Sequence, residues 1–112
     1  MSTDPVETNP ELYRVLFEND RVRVLEYRDA PGDRTRPHGH PDSVMVTLCA
    51  FERRLWSGEQ EVEVTLPAFQ ARWLDAQEHS GMNIGSTQSH SVFVELKEPT
   101  PARAARLGPS AS

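Results

Sequence analysis

Gly32-Asp33-Arg34-Thr35-Arg36-Pro37-His38-Gly39-His40, residues 32–40, is the stretch whose reading decides the fold. On an extended strand, side chains at i and i+2 lie on the same face. His38 and His40 therefore direct two imidazoles at one point, while Gly39 adds no side chain to the opposite face. Neutral imidazole is the commonest protein ligand for a borderline metal. An HxH pair in a polar turn is equally well two solvated histidines, so the pair needs a third ligand from a distant strand to make an open, catalytic-type site. His79 is the candidate; taken alone, between Glu78 and Ser80, it reads as a surface residue. His90, in the turn region 85–91, reads as solvated.

Around this stretch the chain is punctuated by turn chemistry, with nine prolines and six glycines in 112 residues. Strand candidates follow one another quickly: Leu12–Phe17, Val22–Tyr27, Thr35–His40, Val44–Ala50, Arg53–Trp56, Glu61–Leu66, Ala71–Leu74, Gly81–Ile84 and Ser91–Leu96. Turn residues such as Asn19-Asp20, Pro31-Gly32-Asp33 and Ser57-Gly58 separate them. Val62, Val64 and Leu66 alternate with Glu61, Glu63 and Thr65, and Val92, Val94 and Leu96 repeat the pattern. Many short strands with regular turns imply an all-β antiparallel sandwich or barrel, and closure into a barrel limits exposed strand edges. Residues 1–11 read as a flexible N-terminal arm, residues 12–98 as one β-barrel, and residues 99–112 as a disordered tail.

The formal net charge of −5 argues against a nucleic-acid partner. Cys49 is the only cysteine, so no intrachain disulfide forms. The opening MSTDPVETNP is polar and acidic, and no stretch approaches the roughly 20 apolar residues of a membrane span. The expectation is a cytoplasmic protein with no membrane partner. Its small core favours a homodimer.

Gly32, five residues, then His38-Gly39-His40 resembles the first motif of the cupins. His79, three residues, then Asn83-Ile84-Gly85 resembles the end of the second. The segment from Asn19 to Glu98 is similar to small single-domain members of the RmlC-like cupin superfamily, of the sort grouped with a β-alanine degradation protein. The likeness lies in NDRVRVLEYR, HGHPDSV, the H…NIG corner and VFVELK. It implies a cupin-type double-stranded β-helix, a jelly-roll barrel of antiparallel strands. It also implies one divalent metal on His38, His40 and His79, and often a dimer. Two departures stand out. The family's usual glutamate, four or five residues after the second histidine, is replaced by Val44 and Met45. The tight Pro-x-Gly turn before the second-motif histidine is absent.

Three neutral imidazoles leave the charge of a divalent ion uncompensated, which favours an anionic ligand or bound hydroxide. Imidazole suits Fe, Zn, Ni or Cu and argues against Mg or Ca. Within cupins an all-histidine triad resembles that of thiol and diketone-cleaving dioxygenases, and also that of cyclases and isomerases using the metal as a Lewis acid. The expectation is a metalloenzyme acting on a small, chelating, anionic substrate. The alternatives are a non-catalytic ligand-binding cupin and a barrel retaining a relict site. Strand parity nominates Arg36, Met45 and Thr47 as substrate-binding residues, with Arg36 as a carboxylate clamp. A surface Arg36 paired with Asp29 or Asp33 is the competing expectation, and a bulge at Pro41-Asp42 would turn Val44, Val46 and Leu48 inward instead. Cys49 reads as a small buried hydrophobe, and Trp56, Trp73, Tyr27 and Phe93 as core.

Overall fold

β-branched and aromatic residues gathered between Pro, Gly, Asn and Asp turns leave strands as the natural elements. The computed structural model describes residues 3–97. One short helix, α1 (Pro5–Thr8), precedes nine strands: β1 (Tyr13–Glu18), β2 (Val22–Asp29), β3 (His38–His40), β4 (Ser43–Thr47), β5 (Phe51–Ser57), β6 (Gln60–Leu66), β7 (Ala71–Leu74), β8 (Gln77–Asn83) and β9 (Ser89–Leu96). They form a five-stranded sheet, β1-β2-β9-β4-β7, and a four-stranded sheet, β3-β8-β5-β6. Every pairing is antiparallel. This is the expected all-β, double-stranded β-helix. The anticipated tail, 99–112, lies outside the described residues. None of the described helices is long and apolar enough to cross a membrane.

The interior is read off the register. In the larger sheet Leu25 faces Phe93, and Phe93 faces Met45, in one inward row. Tyr27 and Ser91 form the next. Tyr13, Leu25, Tyr27 and Phe93 make the buried apolar cluster, with Val6, Leu12, Met45 and Leu74 packed against it. Leu25 is wholly buried, worth about 1.5–3 kcal/mol over an exposed leucine. The inward face of β9 carries Ser89, Ser91, Phe93 and Glu95, all buried, so Val92, Val94 and Leu96 lie on the outer face.

Three local expectations are revised. Trp73 is 55 % exposed rather than core, because its register partner Val44 lies on the outer face. The strand expected over Thr35–His40 contracts to His38–His40: Pro37 has no N–H to give a ladder, and Arg34 makes only an isolated bridge to Met82. The strand expected over Gly81–Ile84 begins at Gln77, so His79 sits within a strand.

The N-terminal segment read as a flexible arm carries structure. Asp4 caps α1 by accepting from the Val6 N–H and pairs with Arg23. Pro5 and Asn9 are buried. The Asn9 side chain accepts from the Arg36 N–H at 2.7 Å and donates to its carbonyl at 3.2 Å. The Gly39 N–H donates to the Thr3 carbonyl at 2.7 Å. The residue before Pro37 and the middle of the histidine strand are thus tied to this segment.

Candidate metal centre

His38 and His79 are direct cross-strand partners of β3 and β8. His40 follows His38 by the two-residue repeat that keeps side chains on one face. Register and parity therefore bring all three rings together at the end of the smaller sheet. One ring nitrogen from each lies within 4.8 Å of the others.

Each ring is oriented through Nδ1. His38 Nδ1 donates to the Arg36 carbonyl at 2.8 Å, His40 Nδ1 to Glu95 Oε2 at 3.1 Å, and His79 Nδ1 to Gln77 Oε1 at 2.8 Å. With Nδ1 carrying the proton, each Nε2 presents a lone pair. This is how metal-binding histidines are ordinarily held: the second nitrogen donates to a carbonyl or carboxylate that fixes tautomer and angle. Glu95, itself 2 % exposed, is paired with Arg23 at 2.8 Å, and Arg23 with Asp4 at 2.8 Å. A charge relay therefore runs from α1 to His40. Phe93 stacks on the other side of His40, with ring centroids 4.8 Å apart.

The Tyr13 hydroxyl sits 3.2 Å from His38 Nε2 and 3.4 Å from His40 Nε2. A phenol has one proton to donate, so it satisfies one of these two buried acceptors at a time. Among the described residues, no protein donor serves His79 Nε2. Acceptors thus outnumber donors at the point where the rings converge, which is what a site completed by a cation requires. Burial, helped by the neighbouring histidines and Arg53, lowers the His79 pKa to about 3. Burial likewise lowers that of His38 to about 4, with smaller contributions from His40 and Arg53. Both are therefore neutral, ligand-ready imidazoles at physiological pH. Burial also lifts the Tyr13 pKa well above that of a free phenol. Among the described residues the potential ligand cluster is these three histidines, with no carboxylate in it. The donor set fits a divalent transition ion and does not fit Mg or Ca.

Solved structures share this architecture. A cupin domain from Bordetella pertussis Tohama I superposes with a TM-score of 0.72 at 29 % identity, covering 78 % of this chain and 93 % of that one. The chain has a cupin fold. Two further cupin-like structures are more distant. One is an RmlC-like cupin with a double-stranded β-helix fold from Methanocaldococcus jannaschii (TM-score 0.61, 11 % identity, 76 % and 78 % coverage). The other is the polyketide cyclase RemF from Streptomyces resistomycificus (0.58, 20 %, 86 % and 71 %). Their likeness extends to the fold alone. No protein-family model and no curated protein matches the sequence.

Inside the cupin barrel, a cavity of about 240 Å³ reaches His38 and His79. Its wall is chiefly apolar, with Met45, Phe51, Leu55, Leu74 and Phe93 among the contributors. Of the residues nominated from sequence, Met45 lines it. Thr47 is buried with the expected parity, but its hydroxyl donates to the Pro67 carbonyl at 2.7 Å and accepts from the Gln70 N–H, closing the β6–β7 turn. Arg36 is exposed and is not among the lining residues; its backbone holds Asn9 and His38. The cavity arginines are Arg53 and Arg72 instead. Asn83 shapes the corner after His79, accepting from the Gly85 N–H and donating to the Thr87 carbonyl. His90 pairs with Glu26 at 2.9 Å on the outer face.

Tyr13, Glu95 and Arg53 are residues of the centre and its cavity that the sequence reading did not single out. Glu95 had a signal: a carboxylate inside the closing VFVELK strand, in phase with Phe93. Arg53 had a weaker one, as a cation in phase with Phe51 and Leu55. Nothing local distinguishes Tyr13 from an ordinary strand tyrosine.

Proposed function

We propose that this cupin is a metal-dependent enzyme acting on a small, chelating, anionic organic molecule at His38, His40 and His79. The observation that carries this reading is the convergence of three imidazoles, each oriented through Nδ1, on a point where acceptors lack donors. A divalent Fe, Zn, Ni or Cu ion bound there would supply Lewis acidity or, with iron, oxygen activation. The chain's own residues bind and shield. Phe93 and Met45 exclude water, the Tyr13 hydroxyl stands ready to donate to a ligand atom at the Nε2 tips, and Glu95 holds His40 at its angle. Neutral ligands leave the ion's charge available to an anion in a poorly solvated cavity.

Dioxygenase-type and Lewis-acid chemistry are separated by oxygen uptake. Protein reconstituted with Fe(II), Zn(II) or Ni(II) would be assayed in an oxygen electrode against thiols, β-diketones and hydroxy acids. Oxygen consumption with iron alone supports the first. Substrate conversion without uptake supports the second. Ligand-induced spectral change with no turnover under any metal favours a ligand-binding cupin.

A homodimer formed through the outer face of the larger sheet is part of the same proposal. Phe17, Val24, Val94, Val44 and Trp73 are successive cross-strand partners, so they form an apolar row across all five strands. Light scattering at micromolar concentration is expected to give twice the chain mass, and Trp73→Glu to give the monomer.

A further inference from the structure

The cavity holds a second polar feature besides the histidines. Arg53 on β5 is buried, yet it lines the same cavity as His38 and His79. Its Nη1 donates to Asp29 Oδ2 at 2.5 Å and to Ser89 Oγ at 3.2 Å. Asp29 is well supplied without more: it accepts from the Tyr27 hydroxyl, the Asn83 amide and the Ser89 N–H. Among the described residues, the hydrogen bonds of Arg53 to Asp29 and Ser89 leave from Nη1, and the guanidinium lies over the Tyr27 ring with its carbon 5.0 Å from the centroid, so Nη2 and Nε keep N–H groups to donate. These two nitrogens form the side edge of the guanidinium, the edge that takes a carboxylate with two parallel hydrogen bonds.

The absence of a side chain at Gly81 lets β8 pack closely against that side of the guanidinium. A Cβ there would stand 2.8 Å from Arg53 Nη2 and 2.9 Å from Leu55 Cδ2. Gly81 is two residues from His79 on β8, so it shares the inward face roughly 7 Å along the strand. A metal-binding corner and this guanidinium edge thus stand one side-chain repeat apart. Much of the wall around them, including Phe51, Leu55 and Phe93, offers no competing polar group.

We propose that Arg53 is the substrate's anion anchor, binding a carboxylate at the end of a small acid whose other end reaches the histidine centre. This rests on the histidine site being a metal site, and it narrows the substrate class to short acids carrying a second metal-binding oxygen, nitrogen or sulfur a few bonds away. Dicarboxylates and hydroxy, keto or thiol acids meet that description. Arg53 acts by positioning and specificity. The pair with Asp29 accounts for one edge of the guanidinium, and the anchor uses the other.

The test uses the Co(II)-loaded full chain, followed by its visible absorption. Glutarate, with a carboxylate at each end, is compared with butyrate, which has one. Wild type is expected to bind glutarate at least about tenfold more tightly, the scale of a charge-assisted bidentate contact. Arg53→Lys keeps a cation opposite Asp29 but removes the fork, and Gly81→Ala puts a methyl group beside it. Both are expected to bring the ratio to about the twofold that two equivalent ends give by counting, with the cobalt spectrum retained. A ratio near twofold in wild type, or an unchanged ratio in Arg53→Lys, overturns the anchor while leaving the metal site intact. Failure of the metal site would show instead as absence of bound-cobalt absorption. Thermal protection of the metal-free protein by glutarate then decides Arg53: it supports the anchor if present in wild type and lost in Arg53→Lys, and overturns it otherwise.

Discussion

Two polar clusters lie inside the same small barrel and answer burial in opposite ways. Around Asp29 the carboxylate is fully served. Its two oxygens take hydrogen bonds from Tyr27, Arg53, Asn83 and the Ser89 backbone. Burial pushes the Asp29 pKa up, but the Tyr27 hydrogen bond and the Arg53 charge outweigh it, and the net shift is downward. Around His38, His40 and His79 the outer nitrogens are each served, while a single phenolic proton is in reach of two of the three inner ones. Buried polar groups are costly unless paired. The Asp29 carboxylate is therefore paired within the fold, whereas at the histidine centre acceptors outnumber donors. Pairing separates the two clusters better than burial does, since both are largely buried.

The strongest way to break the comparison is to remove Asp29. Asp29→Ala leaves Arg53 as a buried, uncompensated cation, and such losses cost about 3–5 kcal/mol. Urea denaturation of the metal-free protein is expected to show a loss of that size. A change under about 1 kcal/mol would mean that the Asp29 cluster is not structural.

A smaller effect is expected where the two kinds of cluster meet, at Glu95. It is buried and paired like Asp29, yet it serves a histidine. Glu95→Gln weakens the orientation of His40, and losses of such supporting partners typically cost 10–100-fold in metal affinity. Competition titration against a chromogenic chelator measures this directly. Unchanged affinity would show that the Asp4–Arg23–Glu95 relay serves only the fold.

The gentlest effect is on pH dependence. His38 and His79 titrate near 6.5 when unfolded, but at about 4 and about 3 when folded. As pH falls below about 6.5, the unfolded chain takes up protons that the folded one refuses, so the metal-free protein loses stability progressively down to about pH 3–4. The lowered carboxylates Asp4, Glu26 and Asp29 add their own losses toward the acid end of that range. Urea midpoints at pH 7.0, 5.5 and 4.5 are expected to decline, with a flatter decline in His38→Gln and His79→Gln. A midpoint constant from pH 7.0 to 4.5 would contradict neutral burial of the rings.

The fold and the histidine triad were legible in the sequence because a strand repeats every two residues. His38 and His40 share a face by that rule alone, and the resemblance of His79, three residues, Asn83 to the second cupin motif nominated the third ring. What supports the triad was not legible, because it depends on which strands become neighbours. Glu95 reaches His40 only because β9 lies against β2 and β4 in the facing sheet. Alternation also misleads when both faces of a strand are partly covered. In β9 the more apolar set, Val92, Val94 and Leu96, faces outward, while serines and a glutamate face in. Arg36 is absent from the cavity lining for a local reason: Pro37 interrupts the strand, so parity with His38 does not carry back through it. Thr47 has the right parity, but its hydroxyl is taken by the turn after β6.

If the three Nε2 atoms form one metal site per chain, the protein should carry the ion only while those histidines are present. Elemental analysis of the full chain purified without a chelating tag tests it most directly, alongside His38→Ala, His40→Ala, His79→Ala and His90→Ala. One divalent transition metal is expected per wild-type chain, the same in His90→Ala, with loss of the metal in each of the other three. Full occupancy in all three of those variants, or a wild-type chain that takes up no metal when supplied with Fe(II), Zn(II), Ni(II) or Cu(II), would contradict it.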